Sequence, residues 1–105
     1  MKLSTINLLQ VIGISLVYLG MLFNWNVMIS NDGLMPVKYN GTHYHPNYEP
    51  YENASEVNME KLADRYRVDA VGHFVIFSVG DVLIAIGMPL IVIFGIILIW
   101  RLRRI

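Results

Sequence analysis

One run of nineteen residues, 82–100, carries no ionisable side chain and constrains this chain more than any other feature. Ser78-Val79-Gly80-Asp81 opens the run and Arg101-Leu102-Arg103-Arg104 closes it. At ~1.5 Å per residue, a helix of that length crosses most of a ~30 Å hydrocarbon core. A charge at its head and three arginines at its foot mark both ends, so the segment reads as a membrane span. The aspartate at its entrance carries the functional question, because carboxylates in membranes are costly and often functional.

Composition agrees with a lipid setting. Of 105 residues 55% are hydrophobic and 15% charged, with a mean hydropathy of +0.50, whereas a soluble domain averages about 25% charge. The formal net charge is zero, which argues against a nucleic-acid partner, since such domains are usually basic. With no cysteine, disulfides, thiolate metal sites and cysteine nucleophiles are excluded. Roughly half the chain is assigned to lipid, which leaves no room for a conventional soluble catalytic domain. No enzyme activity and no cofactor are expected.

A first apolar stretch covers residues 6–29 and is densest over 11–23, where only Gly13, Ser15 and Gly20 interrupt it. A cleaved signal peptide would need a stronger basic head than Lys2 and a small-x-small cleavage site, and neither is present. Trp25, within Phe23-Asn24-Trp25-Asn26, suits an exit at the headgroup level. The stretch is therefore read as a retained span. Beyond it, Asn31-Asp32-Gly33 signals a turn, and Pro36, Pro46 and Pro50 keep the following segment extended or irregular. Residues 53–66 lack Gly and Pro. Asn53 can cap a short helix there, with Glu56 three residues on, and Glu52, Glu56, Glu60 and Asp64 would share one face. Residues 71–100 would make a helix of ~45 Å, longer than one bilayer core, so 71–77 is expected to lie along the interface or re-enter.

The expected fold is an all-α membrane protein, a two-transmembrane-helix hairpin whose extracytoplasmic loop contains a short helix. Its parts are a first transmembrane helix (1–30), the loop (31–70), an interfacial segment (71–77) and a second transmembrane helix with a basic tail (78–105). Lys2 and the three terminal arginines place both termini in the cytoplasm. The intervening loop has four basic and seven acidic residues and belongs outside.

For Asp81 two readings compete. One is a proton or ion site in the membrane. The other, favoured here, is a helix cap: Ser78 and Asp81 have the spacing of a capping box, and the carboxylate meets the positive end of the helix dipole. Gly13 and Gly20 stand seven apart, as do Gly80 and Gly87, giving each helix a small-residue seam either for the other span or for another subunit. Ser15, Ala85 and Gly95 add small positions. Pro89 removes one backbone donor, frees the Ala85 carbonyl and is expected to kink its helix.

His43-Tyr44-His45 is the candidate metal motif. In an extended segment its two imidazoles point the same way and can share a copper or zinc ion, with Met35 as a possible third ligand for copper. Ligand count weighs against it, because such sites normally need three or four. His73 is read as interfacial rather than as a haem ligand. The acidic row is read as a solvated face, since it lacks the glycine turn of a calcium loop. Asn40-Gly41-Thr42 and Asn53-Ala54-Ser55 are glycosylation sequons.

Two motifs occur in a meaningful order: Asn31-Asp32-Gly33-Leu34-Met35-Pro36-Val37 after the first span, and Phe77-Ser78-Val79-Gly80-Asp81 opening the second. Together they resemble the closing part of an uncharacterised family of bacterial integral membrane proteins. Its members carry Asn-Gly-Gly-x-Met-Pro-Val after one helix and Ser-x-Gly-Asp at the start of the last. The resemblance covers about the last three quarters of the chain and implies a bacterial inner membrane, but no reaction. Here Asp32 replaces a Gly, the loop is longer and richer in tyrosine, and the earlier helices of typical members are missing. The expected function is a small accessory or assembly subunit packing against a larger membrane complex, of a respiratory or photosynthetic kind. The alternatives are a metal- or ligand-binding module at His43 and His45, and a homo-oligomeric or holin-like pore with rings of Asp81.

Overall fold

The computed structural model describes residues 1–38, 48–51, 54–70 and 72–104. Two long helices, α1 (Leu3–Ser30) and α2 (Val79–Leu102), run against each other, and the segment between them folds over one end. At ~1.5 Å per residue, α1 is about 42 Å long and α2 about 36 Å. Both are long and apolar enough to cross a membrane. Only 17% and 6% of their most apolar windows are buried within the chain. These helices therefore do not form the core of a soluble fold, and their apolar surface has to be covered from outside.

A seven-residue repeat joins them. The buried residues of α1 are Ile6, Gly13, Gly20 and Val27, and those of α2 are Gly80 and Gly87. Seven residues are nearly two helical turns, so these positions stack along one stripe. A Cβ on Gly20 would lie 2.5 Å from the Gly80 carbonyl oxygen, and one on Gly87 would lie 2.6 Å from that of Gly13. The backbones themselves touch, which only glycine permits. The seam thus faces the other span of the same chain. Nearer the chain ends, Gln10 Nε2 donates to the Ile91 carbonyl at 2.7 Å, and Gly95 leaves room for that amide. Helix α2 continues unbroken through Pro89.

The connecting segment departs from an all-α reading. Strand β1 (Met35–Lys38) pairs in parallel with β2 (Tyr48–Tyr51), and β3 (Tyr66–Ala70) pairs antiparallel with β4 (His73–Phe77). The helix expected over 53–66 is replaced by two single 3-10 turns, Ala54–Glu56 and Glu60–Leu62. Two local causes and one tertiary contact stand out. Glu52, Glu56, Glu60 and Asp64 at four-residue spacing would repel along a helix face. Met59 takes a left-handed φ of 56°. Asn58 is drawn to α1, its backbone N–H donating to Asn31 Oδ1 at 2.9 Å and its amide to the Ser30 carbonyl at 2.8 Å. Residues 73–77 form a strand paired with β3. His-Phe-Val-Ile-Phe is rich in strand formers, Gly72 has φ 76° beside it, and Tyr66 stacks on Phe77 across the pair at 5.7 Å.

A small core lies where this segment meets α1. It comprises Val27, Met35, Tyr51 and Ala63, with Met28, Val57 and Leu62 packed against it. Asn31 closes the end of α1, its amide donating to the Val27 carbonyl at 2.8 Å and to that of Asn58 at 2.9 Å. The turn that follows uses positive φ at Asp32 (57°) and Gly33 (82°). The loop is therefore anchored to one helix before it reaches the other.

Candidate functional site

The close approach of Gly20 to Gly80 sets the geometry at the mouth of the hairpin. One turn beyond Gly20, Asn24 faces the first turn of α2. Ser78 caps that helix: its Oγ accepts from the Asp81 N–H at 3.2 Å, and its own N–H donates to Asp81 Oδ2 at 3.0 Å. Asn24 ties this cap to α1. Its Nδ2 donates to Asp81 Oδ1 at 3.0 Å, while its Oδ1 accepts from the Ser78 hydroxyl at 2.7 Å. An ionised carboxylate only accepts, so the amide nitrogen must face Asp81, which leaves the amide oxygen for the hydroxyl. Each group uses a donor or acceptor that its neighbour needs, and Ser78 is fully buried.

A third element enters from the loop. Asp64 joins β1 through its backbone: Lys38 N–H donates to its carbonyl at 2.8 Å and its N–H donates to the Pro36 carbonyl at 3.0 Å. That zip turns the side chain inward. Asp64 is 7% exposed, and its Oδ1 is buried without a hydrogen-bond partner. Burial above all, and then the negative charge of Asp81, push its pKa up to about 7. Asp64 is accordingly not on a solvated acidic face.

A second polar node braces the loop. Tyr51 donates to Glu60 Oε1 at 2.8 Å, and Arg65 donates to Glu60 Oε2 at 2.9 Å. Burial, then the bond to Glu60, pushes the Tyr51 phenol well above its usual range. At the opposite end of the hairpin a cleft of about 440 Å³ opens between Met1, Ile6, Ile97, Trp100, Arg101 and Arg104. There Arg104 lies over the Trp100 ring at 4.1 Å, and Arg101 donates to the Met1 carbonyl.

A family of unknown function, DUF5317, matches residues 3–93. The chain belongs to that family. The match spans α1, the loop and most of α2, and leaves the arginines at 101, 103 and 104 outside. No curated protein and no solved structure matches the chain.

Among the site residues read from the sequence, Ser78, Asp81, Gly20 and Gly80 meet at this mouth, and Gly13 and Gly87 lie further along the seam. Pro89 lies in the body of α2, away from the cap. His43 and His45 fall outside the described residues, as do Asn40 and Asn53 of the sequons. His73 is the first residue of β4. Among the described residues no three of His, Cys, Asp and Glu come together as a metal site. Sequence reasoning missed Asn24, Gln10 and Asp64. Asn24 lies four residues past Gly20 and Gln10 three before Gly13, so both border the glycine stripe, and helical spacing alone could have exposed them. Nothing local identifies Asp64, whose burial depends on its pairing with β1.

Proposed function

We propose that this chain is a small, non-catalytic accessory or assembly subunit that packs against a larger integral membrane protein or complex. In this reading it sits in a bacterial inner membrane with both termini cytoplasmic and the loop outside. One observation carries the proposal: the two helices meet backbone to backbone at Gly13–Gly87 and Gly20–Gly80. That contact leaves no space between the spans for a transport path or a reaction chamber. The chain's glycine stripes are used internally, Ser15 and Ala85 are exposed, and what else lies outward is largely apolar, including Ile14, Tyr18, Ile93 and Ile96. A rigid hairpin with an ordered cap and an apolar exterior is suited to filling a groove on a larger partner.

The pore reading is weaker, because both oxygens of Asp81 accept hydrogen bonds inside one hairpin. The metal-module reading rests on His43 and His45 alone. Extraction in mild detergent, followed by native mass spectrometry of the tagged full chain, tests the proposal. The expected result is a complex of fixed stoichiometry with at least one larger membrane protein. Recovery only as a monomer or homo-oligomer would overturn it.

A further inference from the structure

The helices part at the end of the hairpin opposite the loop. The stripe that brings the backbones together at Gly13–Gly87 and Gly20–Gly80 continues, seven residues on, with Ile6 in α1 and Phe94 in α2. Side chains at these positions bar backbone contact, and a cleft of about 440 Å³ opens between the helix ends. Met1, Ile6, Ile97 and Trp100 give it an apolar wall, and the exposed Arg101 and Arg104 complete it. One turn back from Ile97, Ile93 is exposed, so the apolar wall runs on from the cleft along the outside of α2.

The charge at this end has no counterpart within either helix. Lys2, Arg101, Arg103 and Arg104 gather there, while residues 1–31 and 82–104 contain no acid. Along α2 the nearest carboxylate is Asp81, twenty residues or ~30 Å from Arg101. Among the described residues no carboxylate pairs with any of these four cations. Two of them are held by neighbours that leave donors to spare. Arg104 lies over the Trp100 ring at 4.1 Å, and stacking of this kind keeps the N–H edge of the guanidinium for an anion. Arg101 uses one of its five N–H donors on the Met1 carbonyl.

We propose that this cleft binds one anionic phospholipid, its phosphate held by Arg101 and Arg104 and the head of an acyl chain lying along Ile97 and Ile93. The inference takes the membrane setting from the accessory-subunit reading and does not depend on the larger partner. The two halves of the cleft define the occupant. A free phosphate would serve the arginines and leave the apolar wall in water. A neutral alkyl chain would cover the wall and leave the guanidinium groups without an anion. A lipid phosphate answers both, and its oxygens suit the paired donors of a guanidinium. Arg103 supplies the contrast, because it lines a different hollow of about 220 Å³ with Ile96, Ile99 and Trp100, and not the cleft.

Trp100 reports on its own site. The chain has two tryptophans, and Trp25 is 61% exposed, so Trp25→Phe in the full chain leaves Trp100 as the single fluorophore. Its quenching is measured in phosphatidylcholine vesicles, relative to each variant's unquenched signal, as brominated phosphatidylglycerol or brominated phosphatidylcholine replaces part of the lipid. At physiological salt the anionic lipid should occupy the site at least about tenfold more readily than the zwitterionic one. Arg101→Gln and Arg104→Gln should each remove about fivefold of that preference, the worth of one cation beside an anionic lipid. Arg103→Gln should leave it within about twofold, its charge being screened away from the cleft. All four substitutions fall at exposed positions and leave the fold intact. Equal quenching by the two lipids would overturn the proposal and leave the arginines to carboxylates of a partner protein. Equal losses from Arg103→Gln and Arg104→Gln would overturn it in favour of diffuse surface charge. Release of the lipid by sodium phosphate beyond that caused by sodium chloride at equal ionic strength would overturn it in favour of a free anion. No partner takes part in these measurements, so their failure is separate from a failure to recover a larger complex.

Discussion

Replacing Gly20 by alanine should separate the helices where they touch. The new Cβ would stand 2.5 Å from the Gly80 carbonyl oxygen, 2.8 Å from Ile84 Cγ1 and 3.2 Å from the Ile84 nitrogen. Ordinary contact begins near 3.4 Å, so the two backbones must part locally by about 0.9 Å. A side chain can rotate away from such a clash, but a helix carbonyl cannot. Overpacking of this kind costs about 1–3 kcal/mol, and the loosened seam loses dispersion contacts along its length as well. Against this, alanine is a better helix former than glycine by about 1 kcal/mol. The net expectation for Gly20→Ala is a loss of about 1–2 kcal/mol.

Gly95→Ala provides the internal control, because its Cβ would meet only the side-chain end of Gln10, with Nε2 at 3.1 Å, which has to give by a few tenths of an ångström while keeping its bond to the Ile91 carbonyl. There the propensity gain remains, and the change should be neutral or stabilising by up to about 1 kcal/mol. The two substitutions are chemically identical and should have opposite signs. Equilibrium unfolding in mixed micelles measures both, with a fluorophore pair on cysteines placed at Ser4 and Leu102. The chain has no cysteine of its own to confuse the labelling. Equal shifts for the two variants, or an unperturbed Gly20→Ala, would refute the view that backbone contact at the seam holds the hairpin together.

The same unfolding assay checks three further expectations. Asn24→Leu removes the donor to Asp81 and the acceptor for the buried Ser78 hydroxyl, and should cost about 1–3 kcal/mol; a loss below about 0.5 kcal/mol would mean that water replaces the amide freely. Asp32→Gly, which relieves a left-handed residue at φ 57°, should be neutral or stabilising by up to about 1 kcal/mol, whereas Gly33→Ala at φ 82° should destabilise. Asp64 binds its proton more tightly folded than unfolded, so stability should be highest below about pH 4 as far as this group is concerned, fall as pH rises, and level off above about pH 7. A rise of about 3 pK units corresponds to at most about 4 kcal/mol over that window, and Asp64→Asn should flatten the slope; an unchanged slope would place the dependence elsewhere.

Legibility in the sequence followed the range of the interactions involved. The two long helices were visible because lipid selects for uninterrupted apolar length, a property of contiguous residues. The capping geometry of Ser78 and Asp81 was visible for the same reason, since its partners stand three residues apart. The glycine stripe could be read as a contact face, but its partner could not. Position 20 meets position 80, and no local pattern distinguishes a neighbour in the same chain from one in another. The turns over 54–62 read as a helix because the acid spacing of 52–64 imitates one helix face. What overrides that spacing is tertiary: Asn31 captures Asn58, and Glu60 turns to Tyr51 and Arg65.

Asp64 brings these ranges together. By spacing it belongs to a solvated acidic row, yet the fold buries it with Oδ1 lacking a hydrogen-bond partner, and the charge of Asp81 adds to the rise in its pKa. A cap needs only one acid to complete it, and Ser78 and Asn24 already satisfy Asp81. A second acid delivered to that spot costs stability whenever it is ionised, and an amide or an apolar residue would avoid the cost at no loss to the cap. Stability alone therefore does not account for an aspartate at position 64. A buried carboxyl escapes that cost by holding its proton, so the loop's own stability depends on pH through Asp64.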